Sequence, residues 1–120
     1  MQNYDYPAKN WVRSRFFAAI DQLVPAMKEP HHALYLPGVQ NLEGSAYEER
    51  RTITHQVERD GSLIAKMGTR GKEVFHGTVG EWICSHAAAN GPRLNIANLD
   101  YEGQLNTYAS ELIGLFRVFP

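Results

Sequence analysis

Four short runs of apolar and β-branched residues alternate along this chain with segments of helical periodicity, and a Gly or Pro follows each run closely. No other feature narrows the fold as much, because strands separated by helices pair side by side as parallel strands, with the helices laid on the sheet. The runs are His32-Ala33-Leu34-Tyr35-Leu36, closed by Pro37-Gly38; Thr52-Ile53-Thr54-His55-Gln56-Val57-Glu58, closed by Asp60-Gly61; Glu73-Val74-Phe75-His76, closed by Gly77; and Leu94-Asn95-Ile96-Ala97-Asn98-Leu99, followed by Asp100-Tyr101-Glu102-Gly103. The first is apolar on both faces and reads as a buried parallel strand. The second alternates and puts Ile53, His55 and Val57 on one face.

The intervening segments carry helical spacing. Residues 10–24 place Val12, Phe16, Ile20 and Leu23 on one predicted core stripe. Residues 41–51 form a short charged helix that Gly44 weakens, and Ser62 is the expected cap of a short helix through Met67. Residues 79–89 align Val79, Trp82, Ile83 and His86, and Asn90-Gly91 supplies a stop. Residues 104–116 carry a last stripe of Leu105, Tyr108, Leu112 and Leu115. The expected architecture is therefore α/β: a three-layer sandwich of about four parallel strands with right-handed crossovers and helices on both faces.

A chain of 120 residues suits one domain spanning residues 1–120. Its formal net charge is −1, and it has no run near the roughly 18 apolar residues of a membrane helix, so no membrane association is expected. The first nine residues lack the order of a signal or transit peptide, and the lone Cys84 has no disulfide partner within the chain. These features point to a reducing, cytoplasmic setting. The near-neutral balance gives nucleic-acid binding little support beyond a local patch of Arg13, Arg15, Arg50 and Arg51.

In parallel sheets of this kind, ligands bind outside the carboxyl ends of the strands, near the point where strand order reverses. That directs attention to Pro37-Gly38, Glu58-Arg59-Asp60, Gly77-Thr78 and Asp100-Tyr101. Glu58 follows Gly38 by twenty positions. A tight turn after the first strand can admit a nucleoside, while a carboxylate ending the second accepts hydrogen bonds from ribose hydroxyls.

With these residues in place, the chain resembles the class I S-adenosylmethionine-dependent methyltransferases, a Rossmann-like family, in a minimal, truncated or degenerate form. The matching segments are Leu34-Tyr35-Leu36-Pro37-Gly38, Val57-Glu58-Arg59-Asp60, Gly77-Thr78 and Ile96-Ala97-Asn98-Leu99-Asp100-Tyr101. The first departs from the family pattern, since Pro37-Gly38 is followed by Val39-Gln40-Asn41 where an acidic residue and further glycines are usual. The resemblance implies an S-adenosylmethionine site in which Pro37 and Gly38 lie near the methionine portion, Glu58 with Arg59 near the ribose, and Gly77 with Thr78 near the adenine. Asp100 and Tyr101 are then the implied catalytic pair beside the transferred methyl group.

Other readings compete. Glu58 can be a solvent-facing carboxylate paired with Arg59 or Arg70, Asp100 a cap for the last helix, and Tyr101 a packing residue. Cys84 and His86, two apart on a helix, face different sides, which favours a buried thiol and a histidine at the core's edge over a nucleophile pair. His31-His32 and the pair His55 and His76 lack any metal-binding spacing, and no phosphate-loop or GxGxxG motif is present. The main functional rival is a non-catalytic protein-binding inhibitor, such as a virus- or mobile-element-encoded anti-defence protein that uses the fold as a scaffold. A protein partner or a homodimer is expected, the latter through a fourth strand left at the sheet edge.

Overall fold

The computed structural model describes residues 7–23, 30–99, 109–115 and 118–119. In order, its elements are α1 (Pro7–Leu23), β1 (His32–Tyr35), α2 (Gly44–Glu49), β2 (Ile53–Glu58), α3 (Gly61–Lys66), a 3-10 turn (Gly68–Glu73), β3 (Val74–His76), α4 (Val79–Ala88), β4 (Ile96–Asn98) and α5 (Ala109–Gly114). All four strands lie parallel in one sheet ordered β3-β2-β1-β4. The chain steps outward from β1 to β3 and then returns to the far side of β1, so strand order reverses between β1 and β4.

Side-chain alternation along β1 divides the core in two. Leu34 points to one face, where it meets Val57 of β2, Val79, Trp82 and Ile83 of α4, Leu94 and Val118. Ala33 and Tyr35 point to the other, against Phe17 and Ile20 of α1, Tyr47 of α2 and Ile96 of β4. Leu34, Tyr35, Tyr47 and Leu94 are essentially without solvent exposure. Helices therefore cover both faces, and the domain is a small Rossmann-like α/β sandwich, as the alternating runs predict. Two aromatic contacts knit the second face: Tyr47 lies 4.9 Å from the rings of both Phe17 and Tyr35.

Several local expectations need correction. The stripe of α1 is rotated: Phe17 and Ile20 are buried, whereas Val12 is 55% and Leu23 79% exposed. Arg13 sits on the inward side and is paired with Glu43 at 3.1 Å, so a charged residue interrupts the apolar pattern by which the face would be recognised. Helix α3 starts two residues earlier than expected, at Gly61 with Asp60 and not Ser62 as its cap. Asp60 caps it by accepting from the Ser62 N–H at 2.9 Å, and the Ser62 hydroxyl donates to the same oxygen at 2.7 Å. Cys84 is exposed on α4 and not buried. For the last helix, Leu115 packs against the first core cluster, while Leu105 and Tyr108 lie outside the described residues.

Helix α4 ends where Asn90-Gly91 reads as a stop. Asn90 takes up the left-handed conformation at φ 52°, the Gly91 N–H donates to the His86 carbonyl at 3.0 Å, and the Asn90 N–H donates to that of Ala87 at 3.1 Å. This paired return satisfies carbonyls that the last helical turn leaves open.

Candidate functional site

Because the sheet is wholly parallel, every strand delivers its carboxyl end to the same edge. Leaving β1, the chain passes buried Pro37 and turns at Gly38, whose φ of 63° suits a residue without Cβ. Asn41 follows at φ 47°, in the left-handed region that Asn tolerates better than most. Tyr35 fixes this turn from beneath: its phenol donates to Asn41 Oδ1 at 2.6 Å. Burial pushes the Tyr35 hydroxyl up to about 12, a change partly opposed by the bond to Asn41. It is thus a neutral donor at physiological pH and not a base.

The other tether comes from a residue the sequence pattern does not single out as part of the site. Arg70, on the 3-10 turn after α3, donates through Nη2 to the Val39 carbonyl at 2.7 Å and to the Gly38 carbonyl at 3.3 Å. A guanidinium pointed at two carbonyls holds the loop after β1 by charge-assisted bonds. Its Nη1 is buried and has no hydrogen-bond partner among the described residues. No local signal marks this role, since Arg70 and Gly38 are 32 residues apart.

At the end of β2, Glu58 is half-buried and stands in register with His76 of β3. Its carbonyl accepts from the Gly77 N–H at 3.0 Å, joining the two strand ends. Arg59 is exposed, and Asp60 is committed to its cap, where the hydrogen bonds from Ser62 hold the carboxyl below its ordinary range. Thr78 is the N-cap of α4. It accepts from the Glu81 N–H at 3.1 Å while Glu81 accepts from the Thr78 N–H at 2.9 Å, a reciprocal capping box.

The edge thus gathers Pro37, Gly38, Glu58, Arg59, Gly77 and Thr78 along one rim, and adds Tyr35, Asn41 and Arg70 as supports of the first loop. Asp100 and Tyr101, the implied catalytic pair, lie outside the described residues. Among the described residues, no group of three or more His, Cys, Asp and Glu side chains is arranged to hold a metal ion, and no helix is long and apolar enough to cross a membrane.

The arginines read as a basic patch are largely engaged elsewhere. Arg50 donates to both Asp21 carboxylate oxygens, at 2.8 and 2.9 Å, and stacks over Phe17. Arg13 pairs with Glu43, and Arg15 lies over Trp11. A scan against protein-family models gives no match, and a search of curated proteins finds no significant relative.

Proposed function

We propose that the carboxyl edge of the sheet is the nucleoside site of a minimal methyltransferase-like domain that takes S-adenosylmethionine, its demethylated product or a related adenine nucleoside. The observation that carries this reading is positional: the Gly38 turn leaves β1 where strand order reverses, and Glu58 ends the neighbouring strand. This is where sheets of this class bind their ligands.

The residues present fit such a ligand. Gly38 leaves the β1 turn without a side chain, and Glu58 offers a half-buried carboxylate suited to ribose hydroxyls. Pro37 and Arg59 flank these two positions. Gly77 and Thr78 would border the base; with the Thr78 oxygen accepting from Glu81, its contribution is chiefly shape. In a catalytic version, bound S-adenosylmethionine supplies an activated methyl group. Asp100 and Tyr101 would then orient an acceptor, and positioning would supply most of the rate enhancement.

Thermal unfolding with S-adenosylmethionine and with its demethylated product tests the site. At a hundredfold excess over the dissociation constant, ligand binding stabilises the native state by about 2.7 kcal/mol, or roughly ten degrees in midpoint for a domain of this size. The shift should disappear in Glu58→Gln.

A second reading, a non-catalytic scaffold that binds another protein, is favoured by a different observation. Helix α1 presents Trp11 at 65%, Val12 at 55% and Leu23 at 79% exposure along its outer side. No thermal shift at millimolar ligand would make this the better reading.

A further inference from the structure

On the opposite edge of the sheet, at the amino ends of the strands, three imidazoles and an indole are packed together. His32 opens β1, His55 lies opposite Leu34 in β2, and Trp82 and His86 project from α4 onto the same face. His32 Nδ1 and His55 Nε2 are 3.0 Å apart in a hydrogen bond, with the two rings stacked. On its other side His55 meets His86 edge-on, with ring centroids 5.2 Å apart, and Trp82 at 5.4 Å. Trp82 and His86 stack at 4.4 Å. The His86 ring is fixed in turn, because its Nε2 donates to the Pro92 carbonyl at 2.6 Å.

We propose that His32, His55 and His86, packed with Trp82, form an acid-sensitive clasp that ties the carboxyl end of α4 to the amino ends of β1 and β2 and releases it as His55 takes up a proton.

The charges around His55 support this. The groups acting on it are His86 from α4 and His32 from β1, both able only to add positive charge. Arg93, in the segment after α4, lines the same cleft of about 240 Å³ as His86 and brings another cation to that side. A proton on His55 would stand in a half-buried position between two imidazoles that can only add to its charge. Burial, reinforced by His86 and His32, holds His55 down to about 4 from an ordinary 6.5.

The sign follows from linkage. A base whose folded pKa is depressed stabilises the native packing above its unfolded pKa, and the contribution is lost as pH falls from about 6.5 through the folded value of about 4. The clasp is closed at neutral pH and opens across that interval.

Trp82 reports the event. In a Trp11→Phe background it is the only tryptophan, because the chain has two. Its near-ultraviolet circular dichroism should fall cooperatively between pH 6.5 and 4 and recover on neutralisation, while hydrogen exchange at the end of α4 rises at least tenfold. His55→Leu, which keeps bulk on an apolar sheet face, should move that transition at least one pH unit lower. A flat Trp82 signal down to pH 4, or an unchanged midpoint in His55→Leu, overturns the proposal. Should His55→Leu not fold, NMR titration of the His55 ring in the unaltered chain decides: a midpoint below 6 that coincides with the loss of the Trp82 signal supports the clasp, and any other midpoint refutes it.

Discussion

Gly91 is required by its neighbour and not by its own backbone. Asn90 carries the left-handed turn at φ 52°, whereas a Cβ on Gly91 would overlap the His86 imidazole. That ring cannot readily move, being stacked on Trp82 and bonded to the Pro92 carbonyl. Gly91→Ala should therefore cost about 1–3 kcal/mol by overpacking, and most of that cost should vanish in a His86→Ala background. Urea denaturation of the four proteins in this cycle measures the coupling; equal costs in both backgrounds would show that the glycine is needed for another reason. Asn90-Gly91 is legible in the sequence as a helix stop, since these residue types belong there. The dependence of Gly91 on His86 is not legible, because it arises only once the helix end folds back to place Pro92 beside the ring. Arg70 is the same problem at longer range: it is a cation in a glycine-flanked turn until the fold brings it under the carbonyls of Gly38 and Val39.

At the scale of elements, local chemistry and site chemistry ask for the same residue types. Thr78 reads as a rim residue near a ligand, and it does lie on the rim, but its oxygen caps α4. Thr78→Ala should destabilise the domain by about 1 kcal/mol, and Thr78→Ser should restore most of it. Chemical denaturation checks both variants. If Thr78→Ala leaves stability unchanged, the capping box contributes little and the threonine is open to a ligand role. The strands are more legible in the sequence than the helix faces. Each run of apolar and β-branched residues became a strand because its ends were marked by Gly, Pro or Asp and its interior suited the pleated sheet. The inner face of helix α1 is less legible, since Val12-Phe16-Ile20-Leu23 and Arg13-Phe17-Ile20 are both helical rows. Packing chose the second, with Arg13 accommodated by Glu43. A row containing arginine does not announce itself as the inner face, even though a long side chain can lie along a core and be satisfied at its tip.

For the molecule as a whole, parallel pairing and strand order decide where stability and the candidate site reside. β1 is paired on both sides, with β2 and β4, and contributes side chains to both core clusters. The candidate ligand turn leaves this same strand, so the rim is anchored by the best-buried segment described. The position of that rim was legible in the alternation of elements, which implies a parallel sheet whose carboxyl ends form one edge; the supports under it came from distant residues and were not. Leu34 tests this hierarchy. It is fully buried on the sheet face where Val57, Trp82 and Ile83 meet, and Leu34→Ala should cost about 2–5 kcal/mol, a large part of the 5–15 kcal/mol typical of a domain. Ile53 alternates onto the same face at the start of β2 but remains 45% exposed, so Ile53→Ala should cost well under half as much. Urea unfolding of the two variants makes the comparison: a single transition that loses several kcal/mol for Leu34→Ala and little for Ile53→Ala places the cooperative core at β1. Similar losses would mean that the amino edge, where His32 and His55 meet α4, carries as much of the stability as the centre of the sheet.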